Sequence, residues 1–357
     1  MRSFGVEEEM LLVDPGSGAA VALAEAVTGG ADDAPVAELQ REQVETDTAP
    51  CATLDELAGQ LRARRRAAAN AAGRENCQVV ALATSPLAVR PSTTPTERYR
   101  WMVEEYALTA HEQLTCGCHV HVGVESEDEG VAVLDRIRVW LPVLLAMTAN
   151  SPFWQGCDSG YASYRQRVWG RWPSAGPTEP FGTPKVYHET VQAMIDSGVL
   201  LDEGMIYFDA RLSRHYPTVE IRVADVCTAS GDAVLLAALV RALVETAARE
   251  WRAGDPPLPV RAELLRMASW RASRSGLEGE LVHPVMLRPV PAREAVRALL
   301  DHVTPVLTEL GDHDAAVDLT GRLLDRGNGA TGQRRTYGRT GDLSAVVHAA
   351  VEQTLRD

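Results

Sequence analysis

The pattern of apolar and polar positions predicts an alternation of short strands and longer helices. Phe4 to Val13 reads as a strand that stops at the turn Asp14-Pro15-Gly16. Pro35 to Thr46 reads as a second strand, ended by Pro50. Thr53 and Glu56 form a capping box, and Leu54, Leu57, Ala58 and Leu61 follow at helical spacing, which predicts a helix to about Ala72. Gln78 to Ala83 is an apolar strand stopped at Ser85-Pro86. Thr96 to Leu114 reads as helix, Cys118 to Val124 as a strand, and Gly130 to Ala149 as a helix bent at Pro142. Residues 150–184 are rich in glycine and proline, long for a structureless loop, and so point to function. Val186 to Ser197 is helical, and Ile206 to Leu212 and Thr218 to Ala224 are strands. Ala229 to Trp251 is apolar nearly all round, which predicts a central, buried helix. From Val260 onward the pattern is helical, with breaks at Pro284 to Pro291 and Gly327 to Gly332.

These elements do not alternate as strict βαβ units, so an α+β fold with a largely antiparallel sheet is expected rather than a doubly wound one. No linker divides the chain. Residues 1–357 are expected to form one domain, with the sheet mainly in 1–225 and a helical part in 229–357. The apolar C-terminal third is expected either to complete one core or to build a homodimer interface.

Composition narrows the function. The 357 residues carry 35 basic and 49 acidic side chains, a formal net charge of −14. That balance argues against a nucleic-acid binder and against a polybasic membrane-surface protein. Lys185 is the only lysine and lies in Thr183-Pro184-Lys185-Val186, which excludes a Walker-type phosphate loop. Six cysteines include no Cys-x-x-Cys pair, Met1 to Asp14 lacks the apolar stretch of a signal peptide, and Ala233 to Val244 is too short to span a bilayer. A cytoplasmic protein with reduced thiols is expected.

Period-two geometry sorts the polar residues of the strands. Glu7 and Glu9 share a face, with Val6, Glu8 and Met10 on the other. The second strand carries Glu38, Glu42 and Glu45. His119 and His121 share a face with Gly117 and Gly123, opposite Cys116, Cys118, Val120 and Val122; this split argues against a mixed Cys/His zinc site. Glu220 and Arg222 share a face. Four strands that each present carboxylate, imidazole or guanidinium would line a polar cavity suited to Mg²⁺ or Mn²⁺.

Two further features stand out. Trp154, Tyr161, Tyr164, Trp169 and Trp172 crowd one segment together with Arg165, Arg167 and Arg171. Such residues can stack on flat ligands and clamp carboxylates or phosphates, or simply pack among themselves. Gly327 to Gly332 matches G-x-G-x-x-G, but the residues before it read as a helix, so a helix stop is expected instead of a dinucleotide fingerprint.

The ordered set of stretches resembles the carboxylate–amine ligases, or type 2 glutamate–cysteine ligases, over nearly the whole chain. The stretches are Phe4 to Glu9, Gln43 to Thr46, Cys116 to Gly123, Ala149 to Trp154, Gly160 to Arg165, Pro217 to Arg222 and Gly332 to Arg334. The resemblance implies a glutamine synthetase-like fold: a curved, mostly antiparallel sheet with helices on its convex face. It implies ATP and two or three Mg²⁺ or Mn²⁺ ions in the concavity. By it, Glu7, Glu9, Glu38, Glu45, His119 and Glu220 match the metal-binding positions, His119 also lies near phosphate, and Arg222 matches the arginine on the transferred phosphate.

The implied chemistry is formation of an acyl phosphate from a small-molecule carboxylate and ATP. An amine then displaces phosphate to give an amide. Arg165 is the candidate clamp for the substrate carboxylate, with Trp154 and Tyr164 as walls, and Arg167 and Arg171 are close alternatives. His121 and Glu45 are candidate bases for the amine. Cysteine is the acceptor the family label suggests; another acid or amine is the alternative. A metal-dependent amide hydrolase and a non-catalytic binding protein are the readings from other classes.

Overall fold

The computed structural model describes residues 2–29 and 35–356. Its strands, among the described residues, are β1 (Phe4–Val13), β2 (Val36–Ala37), β3 (Gln43–Asp47), β4 (Gln78–Val80), β5 (Gly117–Gly123), β6 (Phe153–Trp154), β7 (Cys157–Asp158), β8 (Ala210–Leu212), β9 (Thr218–Asp225), β10 (Glu280–Val282) and β11 (Pro289–Pro291). One sheet runs β2-β3-β1-β5-β9-β8, with β4 paired to the C-terminal end of β1. Every pairing in it is antiparallel. The expected α+β class, with a mostly antiparallel sheet and a helical C-terminal third, is the one observed.

The differences from expectation are local and have local causes. The strand expected over 35–46 is two short pieces. Between them the chain turns away to pair with residues 92–94: Arg41 N–H donates to the Ser92 carbonyl, and Ser92 Oγ donates to Glu42 at 2.6 Å. The helix expected over 96–114 breaks into Glu97–Tyr106 and Leu108–His111 at Ala107, whose φ of +46° no helix accommodates. The bend expected at Pro142 is a full break between Glu127–Ile137 and Leu141–Thr148, because proline is best placed in a first helical turn. Strand β8 is three residues instead of the seven expected over 206–212. Gly327 does end a helix, and Asn328 caps the next, Gly329–Thr340.

The sheet has two unlike faces. On one, Cys118, Val120 and Val122 of β5 pack with Leu57 and Leu61 of the helix Leu54–Arg74 and with the helix Ser230–Ala253. Full burial of each such aliphatic side chain is worth about 1.5–3 kcal/mol. Leu265, Leu299, Leu307 and Leu323 of the C-terminal helices join the same core. That third of the chain therefore completes the core.

Glu8 points into this apolar face and is 1% exposed. Arg65 meets it with a bidentate pair, at 2.8 Å from Nε and 2.6 Å from Nη2. Arg65 also donates to the carbonyls of Cys227, Thr228 and Thr354. One guanidinium thus ties β1 to the end of β9 and to the last helix. Breaking such a pair on one side leaves a charge in the core. Arg65→Met is expected to lower unfolding free energy by about 3–5 kcal/mol in denaturant titrations. Arg65→Met combined with Glu8→Met is expected to recover part of that loss; no recovery would rule out the stranded charge as its cause.

Candidate active site

The other face of the sheet carries the charges, and strand register explains their placement. Directly opposite residues of an antiparallel pair project to the same side. Glu7 faces His119, Glu9 faces Glu45, His121 faces Glu220, and Glu220 faces Arg211. The β5–β9 register shifts between Cys118 and Val120, so Arg222 lies at an irregularity opposite His119. A β-bulge of this kind re-aims a side chain. Arg222 is turned onto Glu220, and its Nη1 contacts Glu220 Oε1.

These side chains line a cavity of about 440 Å³. Glu7 reaches two imidazoles: its Oε2 is 3.3 Å from His119 Nδ1 and its Oε1 is 3.1 Å from His121 Nε2. His121 Nδ1 lies 3.0 Å from Thr218 Oγ1. Glu220 accepts from Arg211 Nε at 2.7 Å as well as from Arg222. Glu9 accepts from the Gly117 backbone N–H. Glu38 lies in the turn before β3, where its carbonyl accepts from Thr94 Oγ1 at 2.6 Å.

The carboxylates fall into two electrostatic classes. Burial works against the charged form of Glu7, but His119 and His121 outweigh it and hold its carboxyl below the usual range. Glu220 is held low in the same way, with Arg222 and Arg211 outweighing burial. Glu38 is pushed up to about 7, first by burial and then by the charge of Glu9. Glu45 is pushed well up by burial, then by Glu38, Glu7 and Glu9. Among the described residues no ion pair reaches Glu9, Glu38 or Glu45. Three groups have ligand atoms within 4.8 Å of one another: Glu7, Glu45 and His119; Glu7, His121 and Glu220; and Glu9, Glu38 and Glu45. The buried His119 Nε2 has no hydrogen-bond partner. Carboxylate oxygens with a minority of imidazole are the donor set that suits Mg²⁺ or Mn²⁺.

The structure therefore brings together Glu7, Glu9, Glu38, Glu45, His119, His121, Glu220 and Arg222. It places the other expected residues elsewhere. Arg165 is buried beneath this surface, its Nη2 donating to the Arg222 carbonyl at 3.4 Å and its Nη1 3.9 Å from Asp225. It lies over Gly117, where a Cβ would come within 2.4 Å of Nη2. Trp154 and Tyr164 pack against each other at 5.7 Å and are not part of the cavity lining. The aromatic residues of the lining are instead Tyr99, Trp169, Trp172, Tyr187, Tyr207 and Tyr216. The Arg222 guanidinium lies 5.7 Å from the Trp169 ring and 6.0 Å from that of Tyr207.

Arg211 escaped the sequence reading, although its alternation with Ala210 and Leu212 in a strand pairing Glu220 carried the signal. The uncharged Gln43 and Gln113, also in the lining, gave no chemical signal of their own.

The sequence model described as glutamate–cysteine ligase family 2 matches residues 3–349. The chain belongs to that family. A relative from Streptomyces avermitilis, named "Putative glutamate–cysteine ligase 2-1", is 55% identical over 360 residues, covering 99% of each chain. One from Streptomyces coelicolor, named "Putative glutamate–cysteine ligase 2", is 53% identical, again over 99% of each. The fold is similar to that of the Francisella tularensis glutamate–cysteine ligase solved in complex with AMP. The TM-score is 0.69 at 14% identity, covering all of this chain and 89% of that one. It is also similar to a bifunctional glutathione synthetase from Pasteurella multocida, with TM-score 0.73 at 15% identity, covering 99% of this chain and 52% of that one. The glutamate–cysteine ligase family 2 member described here thus has the ligase fold that its motifs implied.

In this family 2 protein the closely set carboxyls of Glu9, Glu38 and Glu45 oppose one another's ionisation. Glu45→Gln removes a carboxyl whose ionisation burial and its neighbours oppose, without changing its shape. The variant is expected to raise the thermal midpoint in the presence of a chelator by about 1 °C or more, equivalent to about 1 kcal/mol. An unchanged or lowered midpoint would show that the repulsion is relieved in another way.

Proposed function

We propose that the protein is an ATP-dependent carboxylate–amine ligase that joins the γ-carboxyl of glutamate to the amine of cysteine through an acyl phosphate. The observation that carries this reading is one cavity holding three overlapping groups of cation-type ligands beside Arg222. Hydrolysis by a metal-bound water would not call for a buried arginine at that place.

Glu7, Glu9, Glu38, Glu45, His119 and Glu220 would hold two or three Mg²⁺ or Mn²⁺ ions, and the crowding of Glu38 and Glu45 supports the fit. Bound ions supply the charge neutralisation that lets a carboxylate approach a triphosphate. Arg222 would meet the transferred phosphoryl group. Glu220 fixes that guanidinium on one side, and the rings of Trp169 and Tyr207 border it on another. An arginine held in this way requires little rearrangement as charge builds up.

Arg165, the candidate clamp from sequence, lies beneath the lining and donates to the Arg222 carbonyl, so its proposed part is to hold the Arg222 backbone; Arg98, Arg211 and Arg214 are the other arginines in the lining that could meet the acid's carboxylate. Trp169 and Tyr207 would serve as the walls assigned from sequence to Trp154 and Tyr164. His121 is the proposed proton acceptor for the amine, with Glu45 as the alternative; both line the cavity. Six free thiols, five of them buried, support a cytoplasmic setting. No helix among the described residues is long and apolar enough to cross a membrane.

The test is ADP release from Mg-ATP and L-glutamate, with and without L-cysteine. Cysteine-dependent release is expected. Release that requires glutamate but ignores cysteine would transfer the same chemistry to another amine, and no release with either would overturn the reading. Arg222→Ala is expected to reduce turnover at least about a hundredfold. Retention of a tenth of wild-type turnover would remove Arg222 from its assigned role.

A further inference from the structure

We propose that Gln43 and Gln113 form the subsite that receives the nucleophilic amine. The inference rests on the ligase reading above and concerns the part of the cavity just beyond the carboxylates.

Gln43 is two residues from Glu45 on β3, so the two share a face, and it lies opposite Leu11, two residues beyond Glu9 on β1. Gln113 lines the same cavity from the segment before β5. Its Nε2 donates to Thr115 Oγ1 at 2.6 Å, and Thr115 precedes by two residues the Gly117 N–H that holds Glu9. Gln43 is 4% exposed and Gln113 3%. Both line the cavity, and the Oε1 of each is buried with no hydrogen-bond partner. Buried carbonyl oxygens are rarely left this way, because each loses its water without gaining a donor.

Two open acceptors call for a ligand that brings donors. Phosphate groups and carboxylates bring none, so the triphosphate and the reacting acid are poor occupants. An amine brings N–H groups. The chemistry also favours an amide over a carboxylate as its partner. A carboxylate would stabilise the ammonium form and so remove the lone pair that must attack. An amide oxygen accepts from the neutral amine and leaves that lone pair free. A fixed α-ammonium group, by contrast, is normally met by a carboxylate.

The test uses hydroxylamine as the probe amine, with Mg-ATP and L-glutamate, reading ADP and hydroxamate. Gln43→Met and Gln113→Met keep side-chain length and remove the oxygen; Gln43→Asn and Gln113→Asn keep the amide and withdraw it by one methylene. A tenfold or greater rise in KM for hydroxylamine is expected, with KM for ATP and for glutamate, and the affinity for Mn²⁺, within twofold of wild type. If a methionine variant does not fold, the asparagine variant at that position decides. An unchanged KM for hydroxylamine overturns the subsite. So does a rise confined to ATP or to glutamate, which would assign the oxygens to the adenine amine or to the α-ammonium group. Weakened Mn²⁺ binding also overturns it, by making the amides part of the ion site. A wild type that forms no ADP with glutamate and any amine overturns the ligase reading itself, which separates that failure from failure of the subsite.

Discussion

Carboxylates of like charge are set side by side on one face of a sheet, and much of the rest of the structure follows from keeping them there. Glu9, Glu38 and Glu45 approach one another closely enough to serve as a common ligand set, yet among the described residues no basic side chain pairs with any of them. A flexible loop would relieve this repulsion by moving apart. Glu9 and Glu45 cannot, because β1 and β3 are each paired on both edges; only Glu38, in the turn before β3, lies outside the ladder. The repulsion therefore persists as a standing affinity for cations. Glu7 and Glu220 differ only in having imidazoles or guanidiniums opposite them across the ladder. Register decides which carboxylate is neutralised by the protein and which is left for a ligand.

The same strand supplies the anchor. Three consecutive glutamates on β1 have three fates: Glu7 and Glu9 face the cavity, and Glu8 is neutralised by Arg65 within the core. A buried ion pair is seldom a net source of stability. Its effect here is to specify which way β1 faces. A slip by one residue would move Glu8 to the cavity and send Glu7 and Glu9 into the apolar layer. One of the two would meet Arg65, and the other would be buried in that layer with no basic partner.

Much of this was legible in the sequence because alternation is a strong constraint. The Glu7/Glu9 and His119/His121 pairs, and the burial of Cys116 and Cys118 on the opposite side, follow from period two alone. What escaped the reading depends on long-range packing. Arg165 and Trp154 belong to an aromatic, arginine-rich segment whose composition says that something is clamped or stacked, but not which rings face inward. Trp169 is only four residues from Arg165, one turn further along the chain, and it is Trp169 that reaches the cavity. The irregularity that aims Arg222 is invisible to a period-two reading, since it is a property of two strands in register rather than of either one. Glutamines are silent for a different reason: their chemistry appears only when burial leaves an oxygen without a partner.

The ladder that presents these ligands joins segments far apart in the chain. Glu7 and His119 are separated by 112 residues, and His121 and Thr218 by 97. Each such pairing must close a long loop before any contact compensates for the lost entropy. The helices, built from neighbours in sequence, can form earlier. The cavity is thus a late product of folding: β1 is made before β5, which brings His119 and His121 to Glu7, and the Thr218 and Glu220 that His121 also faces follow only with β9. During that interval the Glu7-Glu8-Glu9 run keeps an otherwise apolar strand charged. Charge on an unpaired strand is what opposes premature edge-to-edge association. The residues read here as ligands would then protect the chain before there is a site for them to form.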